Sequence, residues 1–548
     1  MKSYRTLARR LALPLALAFA LALVVSACGG GTKTAGGGGS SSTASAESSG
    51  GGSEGAEGGG EPVKGGSITV SGGPVPTLDP AAGSANAMAL AGNAIYETLM
   101  KVVEPGEEPQ PNIAESMTES NGGMTWTMKV PTGLKFSDGT PFNAEAVVFN
   151  MERDMEPTSS AAALLSSVKS VSAPNPTTVV FKMSEPLSSL PYALSYDGSG
   201  TAGYIASPTA VEKYGKNYSA HASGLGPFMV QSWSATGKTV LVQNPNYWNA
   251  EEEPVYLEKV TVESIPSETT AYQSVQAGNL TLMGSANPST LSQAQSNGNV
   301  KTVMGETENN QDSIILNMAT KPFENLELRE AVSMALNREE IAQLTTSELG
   351  GPAVNLFPEG NPYHDEYTDP EFDVEKAKEI VTSYKEKTGE TPSFTYTCNT
   401  ERPATEVIVH QLQEAGFNVK LNAEEVNAWL ADFFGKKYQA ICWTMAPFLS
   451  PDQLPYRFFY SKGDLNTGGY ASKAFDTAAN EARSATGEEK KADWQKADKV
   501  LTEELPWVWT TTGPIGFIMS PKLEGVEWEQ PYRQRYYVPT FAHSWLSE

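Results

Sequence analysis

The sequence predicts an α/β protein in which strand–helix alternation is confined to the second half and a mixed α+β region precedes it. Phe394 to Cys398, Ala404 to Ala415, Phe417 to Leu421, Val426 to Phe434 and Gln439 to Trp443 read as strand, helix, strand, helix and strand. Alternation of that kind predicts a parallel sheet joined by right-handed crossovers. Ahead of it, short period-two segments punctuated by Gly and Pro read as antiparallel ribbons with a few helices. The chain beyond residue 64, roughly 480 residues, is long enough to divide into two or three lobes with cores of their own.

Taken in order, Gly65-Gly66-Ser67-Ile68-Thr69-Val70 opens the folded part as a strand, which Pro74-Val75-Pro76-Thr77-Leu78-Asp79-Pro80 ends. Asn86 to Lys101 has apolar residues at helical spacing. Thr125 to Val130 and Lys135 to Phe136 read as short strands, Ser137-Asp138-Gly139-Thr140 as a turn, and Asn143 to Asp154 as a helix capped by Asn143. Thr177 to Met183 alternates as a strand does, and Pro208 to Tyr214 reads as a helix. Phe228 to Trp233 and Lys238 to Gln243 form a hairpin around Ala235-Thr236-Gly237. Later, Asp373 to Thr388 and Ser472 to Glu504 supply helices, and Trp507 to Ile518 returns as one extended segment.

The amino terminus carries an export signal. Lys2, Arg5, Arg9 and Arg10 precede an apolar run from Leu11 to Val25, and Val25-Ser26-Ala27-Cys28 has the order of a lipobox. The apolar run is too short to span a bilayer of roughly 30 Å. Acylation at Cys28 anchors the chain, because two or more acyl chains suffice for stable attachment. Arg9-Arg10 leaves both general and twin-arginine export open. Gly29 to Glu61 is almost wholly Gly, Ser, Ala, Thr and Glu. It reads as a disordered tether with a reach on the order of 30 Å. Removing the signal takes the formal charge from −25 to about −29, an acidic surface that disfavours nucleic acid and anionic lipid headgroups.

Catalytic constellations are absent from the sequence pattern. Ser232 to Thr239 ends like a phosphate loop, but Ser232 stands where the first glycine is required. The four histidines, His221, His364, His410 and His543, are scattered and lack metal-ligand spacing; neither a metal nor another cofactor is expected. Beyond Cys28 only Cys398 and Cys442 remain. They end the first and third strands of the alternating region, and two readings stand: one disulfide joining neighbouring strands, or two buried thiols.

Several stretches resemble the family 5 extracellular solute-binding proteins, the lipoprotein receptors of oligopeptide, dipeptide and nickel importers. Gly65-Gly66 followed by Thr77-Leu78-Asp79-Pro80 is similar to their opening, and residues 111–116 to a "P-x-LAESW" segment. Residues 133–147, GLKFSDGTPFNAEAV, resemble the signature "GVKFHDGTPFNAEDV". Residues 224–228 and 244–248 are similar to "GTGPF" and "NPDYW".

The resemblance implies a periplasmic-binding-protein-like fold of type II with three lobes. Residues 65–90 with 222–312 and 514–548 form the first, 91–221 the inserted mixed α+β second, and 313–513 the third, behind a signal peptide (1–28) and tether (29–64). It implies a monomer on the outer face of the cell membrane or in the periplasm, working with the membrane subunits of an ATP-driven permease. The ligand, a peptide or related small organic molecule, is held between the first and third lobes; a metal chelate, a sugar or another non-peptide solute is the alternative within the binding class, and a surface hydrolase the alternative outside it.

The cleft is expected between the loop containing Val75, Thr77 and Leu78 and the loop from Trp443 to Phe448, because ligands settle beyond the carboxyl ends of parallel strands. Trp443 and Phe448 would pack on the ligand, and Thr444, with main-chain groups around Met445, would supply hydrogen bonds. Peptide-binding members are similar here in a Trp-x-x-Asp segment whose carboxylate meets the ligand amine. This chain has Ala446 in that place, and Asp452 is the nearby carboxylate available to substitute for it.

Overall fold

The computed structural model describes residues 61–547 except 84, 103–107, 196–200, 306–309, 401, 403, 447, 449 and 527–540. The expected signal, Cys28 and most of the tether therefore lie outside the described residues. Among those described, no helix is long and apolar enough to cross a membrane.

Two large sheets organise the molecule. The first has seven strands in the order Lys301–Met304, Gly516–Met519, Leu282–Ser285, Ser67–Gly72, Lys259–Ser264, Lys238–Gln243 and Phe228–Ser232. Its central strand Ser67–Gly72 runs parallel to both neighbours. Ile68 pairs with Val260 and Val70 with Val262. All four are buried, since alternate residues of a strand face one side. The hairpin expected over residues 228–243 closes one edge.

The second sheet has five strands, Asn418–Glu424, Ser393–Asn399, Ala440–Met445, Gln311–Leu316 and Trp507–Thr512 in that order. The first three are the strands of the alternating region and are parallel, as expected; helices Thr405–Glu414 and Val426–Phe434 join them. Gln311–Leu316 adds antiparallel to this core, and Trp507–Thr512 pairs antiparallel with Gln311–Leu316 and so runs in the direction of the core strands. A four-stranded antiparallel sheet built from residues 116–183 forms a third layer, carrying helix Ala144–Asp154. Asn143 Oδ1 caps that helix by accepting from the Ala146 amide at 3.0 Å. In the preceding turn Gly139 has φ +84°, the left-handed conformation that glycine takes at no steric cost.

Three expectations need correction. The helix expected over Asn86 to Lys101 is Ala85–Ile95, because Glu97 turns to φ +53° and Met100–Lys101 pairs with Gln110–Pro111. The Ile95 carbonyl instead accepts from the Gly226 amide at 2.9 Å. A Cβ on Gly226 would lie 2.6 Å from the Ala94 oxygen, so only glycine permits this approach. The boundary expected between residues 90 and 91 falls inside that helix, whose Ala91, Ala94 and Ile95 pack in the core of the seven-stranded sheet together with Tyr204, Ala210 and Tyr218.

The segment from Trp507 to Ile518 is not one strand. Trp507–Thr512 belongs to the five-stranded sheet and Gly516–Met519 to the seven-stranded one. The chain crosses between the sheets a second time between Met304 and Gln311. The two crossings are bonded to each other: the Gly513 amide donates to the Asn310 carbonyl at 2.9 Å, and Asn310 Nδ2 donates to the Gly513 carbonyl at 3.2 Å.

Candidate functional site between the two large sheets

The three parallel strands of the seven-stranded sheet end together, at Ser71–Gly72, Val262–Ser264 and Met283–Ser285. Beyond these ends lies a cavity of about 840 Å³. Its other walls are Val75 from the loop after the first strand, Leu90 from the following helix, Ile515 from one crossing, Phe517 from the strand that follows it, and Val426 and Asn427 from the five-stranded sheet's side. The crevice outside the carboxyl ends of parallel strands is where open α/β sheets bind ligands, and the volume falls in the roughly 300–1,000 Å³ range of small-molecule sites. Its surface is mainly apolar, with Ser71, Ser264, Ser285, Asn427 and Glu268 as polar points.

The five-stranded sheet turns the carboxyl ends of its own parallel strands toward the same crossing. On that edge Arg402 forms an ion pair with Asp312, whose Oδ1 also accepts from Thr444 Oγ1 at 2.6 Å. Both charged side chains remain partly exposed. Two buried polar atoms on this edge, Glu424 Oε2 and Trp429 Nε1, have no hydrogen-bond partner among the described residues. Trp429 is in the first turn of the helix whose leading Val426 and Asn427 line the cavity. A buried polar atom left unpaired costs about 1–3 kcal/mol, so groups of this kind concentrate where a ligand or an ordered water completes them.

The expected contact residues divide. Val75 reaches the cavity wall, but Thr77 and Leu78 do not. Thr77 Oγ1 shares a hydrogen bond with Ser219 Oγ at 3.0 Å, and Leu78 is fully buried with its amide donating to the same Ser219 hydroxyl at 2.9 Å. These two residues fasten the loop to its own lobe. Trp443 is half-buried and stacks on Phe433 and Trp429, with ring centroids 4.0 and 4.8 Å apart. Thr444 holds Asp312. Met445 is buried in the core, and Ala446 is half-buried beside it. Phe448 packs edge-on against Phe357, centroids 6.1 Å apart.

Asp452 is not a substitute amine receptor. Its side chain is inaccessible to solvent and is consumed by Lys490 Nζ at 2.7 Å and Trp494 Nε1 at 2.8 Å. Sequence reading missed Glu268, Asn427 and Ile515. Their common signal is position just past a strand end, a position that becomes informative only once the strand order is known.

Cys398 and Cys442 are joined by a disulfide, with Cα atoms 5.1 Å apart. The pairing of Tyr396 with Ala440 and Thr397 with Ile441 in adjacent parallel strands brings them level.

Two sheets of mixed direction, crossed twice by the chain and enclosing a cavity at their strand ends, define a binding protein of the type II periplasmic-binding fold. A family model for the bacterial extracellular solute-binding proteins, family 5, matches residues 108–466, and the chain belongs to that family. It is the extracytoplasmic substrate-binding component of an ABC importer. The glutathione-binding protein GsiB of Shigella flexneri is 26% identical over 457 residues, covering 79% of this chain and 86% of that protein. DppA of Helicobacter pylori, an ABC-transporter-associated periplasmic binding protein in complex with the peptide STSA, superposes with a TM-score of 0.75. It is 22% identical, with 89% and 99% of the two chains covered. NikZ of Campylobacter jejuni in complex with Ni(L-His) superposes with a TM-score of 0.74 at 18% identity, over 87% of this chain and 97% of that one.

Proposed function

We propose that this protein captures a short peptide or a peptide-like organic solute in the cavity between the two large sheets and delivers it, chemically unchanged, to the permease. The observation that carries this reading is the cavity itself, at the carboxyl ends of the parallel strands of the seven-stranded sheet and walled on the other side by Val426 and Asn427 of helix Val426–Phe434. The lobe of the seven-stranded sheet and the lobe of the five-stranded sheet, residues 313–513, close on the ligand by bending at the crossing around 513–515. The GsiB and DppA relatives support the peptide class, since glutathione and STSA are both peptides. The NikZ neighbour keeps a metal chelate as the competing class. Residues 65–547 work as a monomer held to the membrane through Cys28 and the tether.

Purified protein exposed to a mixed pool of peptides, sugars and metal chelates is expected to retain peptides in native mass spectrometry and to melt at a higher temperature with them. Stabilisation by a ligand at a hundred times its Kd is about 2.7 kcal/mol. Retention of chelates or sugars alone replaces the peptide class, and retention of nothing removes the capture reading. In cells, Cys28→Ala is expected to release the folded protein or leave it unprocessed. A variant that stays membrane-bound at the mature size removes the lipid anchor.

A further inference from the structure

We propose that Glu268 is the residue that recognises a protonated amino group of the ligand. The inference rests on the capture reading above and adds the chemical class that the cavity selects. Among the described residues lining the cavity, Glu268 is the one that carries a charge. It opens the helix Glu268–Gln276, whose first turn is capped by Ser267 Oγ accepting from the Thr270 amide. That cap and the Glu268 carboxylate itself answer the positive end of the helix, so the helix N-terminus does not turn this wall into an anion site.

The carboxylate is held in place. Ser285, buried at the end of strand Leu282–Ser285, donates its hydroxyl to Glu268 Oε1, and the Asn287 amide in turn donates to Ser285 Oγ at 3.1 Å. The chain of donors fixes the serine proton toward Glu268 and aligns the carboxylate with a strand end. An ionised carboxylate offers about four lone-pair sites, and Ser285 uses one of them. Its neighbours on the wall, Ala271, Met283 and Ile265 among them, are apolar. A ligand closing over this wall strips water from Glu268, and a buried carboxylate is tolerated when a cation meets it.

The opposite wall does not cancel this charge. Val426 and Asn427 are uncharged, and Arg402, on the edge of the five-stranded sheet, is already matched by Asp312. Glu424 on the same edge adds a further negative charge, with Oε2 buried and without a hydrogen-bond partner among the described residues. The site therefore presents a net negative field to the ligand, with its one cavity-wall charge oriented by Ser285. A protonated amine, a three-donor point charge, satisfies Glu268 with a charge-assisted hydrogen bond.

The probe is a library of tri- and tetrapeptides of uncharged residues, made once with free and once with N-acetylated amino ends, applied to the wild type, Glu268→Gln and Glu268→Asp. Native mass spectrometry reads retention, and melting without ligand reads folding. The wild type is expected to prefer free amino ends by on the order of ten- to a hundredfold, the range for a hydrogen bond to a charged group. Glu268→Gln keeps the fold and loses the preference, and Glu268→Asp keeps part of it. Retention of free and acetylated peptides alike by the wild type overturns the assignment while capture stands, as does an unchanged preference in Glu268→Gln. Retention of neither library removes the peptide-capture reading and Glu268's role with it.

Discussion

Replacing Lys490 with Met is expected to destabilise the protein by about 3–5 kcal/mol, the cost of leaving one partner of a buried ion pair alone. Asp452 and Lys490 are 2.7 Å apart, with side chains 0% and 3% exposed. Lys490 Nζ also donates to Ser188 Oγ at 3.2 Å, and Ser188 in turn donates its amide to the Arg483 carbonyl at 3.0 Å. The pair thus sits where the loop after strand Thr178–Met183 docks on helices Lys473–Ser484 and Gly487–Glu504. Burial by itself would raise the Asp452 carboxyl. The Lys490 ammonium, assisted by Arg483 and the Trp494 N–H, outweighs burial and holds it below the ordinary carboxylate value.

A depressed native value makes the direction of the pH effect definite. Asp452 contributes its full stability above the unfolded carboxylate pKa of about 3.9, and loses it as the pH falls from there through the native value. Without Lys490 the same carboxylate is buried with no ammonium beside it, and the unfolded state favours its ionised form across the range above pH 4. The melting difference between wild type and Lys490→Met is therefore expected to be largest near pH 7 and to shrink toward pH 4. The double variant Asp452→Asn with Lys490→Met keeps an acceptor for Trp494 Nε1 and removes both charges. It is expected to regain most of the loss. A deficit that is equal at both pH values, or not regained in the double variant, removes the buried pair as its cause.

This pair also shows where reading the sequence stops. Asp452 stood near the expected ligand loop and looked like a substitute receptor for an amine. Its partner lies 38 residues onward, on helix Gly487–Glu504, and only the packing of that helix against residues 450–454 reveals the match. Of the loop expected to border the cleft, Val75 lines the cavity, whereas Thr77 and Leu78 do not. Val75 turns into the cavity while Ser219, more than 140 positions away, takes the Thr77 hydroxyl and the Leu78 amide.

The alternating strands and helices from residue 393 to 445 were legible because each segment's period and punctuation are local properties. The helix Val426–Phe434 has the bounds that its apolar run indicates. What was not local was missed: the split of residues 507–519 between two sheets, and the convergence of three strand ends on Glu268. A single residue, Gly513, makes the first of these intelligible in hindsight, since the chain leaves one sheet there and bonds across to Asn310 of the other crossing.

Removing the bridge between Cys398 and Cys442 is expected to cost about 4 kcal/mol, the loop-closure entropy released when a 44-residue link is opened. The closed segment holds helix Thr405–Glu414, strand Asn418–Glu424 and helix Val426–Phe434, so it includes Glu424, Trp429 and the cavity-lining Val426 and Asn427. Both sulfurs are buried on neighbouring parallel strands, and Thr405 Oγ1 donates to Cys398 Sγ at 3.3 Å. Alanine at both positions leaves the apolar surroundings of Cys442 intact and deprives Thr405 of one weak acceptor, while its bond to the Arg402 carbonyl at 3.0 Å persists. For a cooperative unit of about 200 residues a loss of this size lowers the melting temperature by on the order of 10 °C. Because the constraint acts on the unfolded chain, the native cavity keeps its shape, and ligand affinity well below the melting transition is expected to change little. Wild type in reductant should fall to the double variant's melting temperature, and the double variant should be insensitive to reductant. Two free thiols per chain besides Cys28 under denaturing, non-reducing conditions would remove the bridge, and a large loss of affinity at unchanged melting would mean that it shapes the site directly.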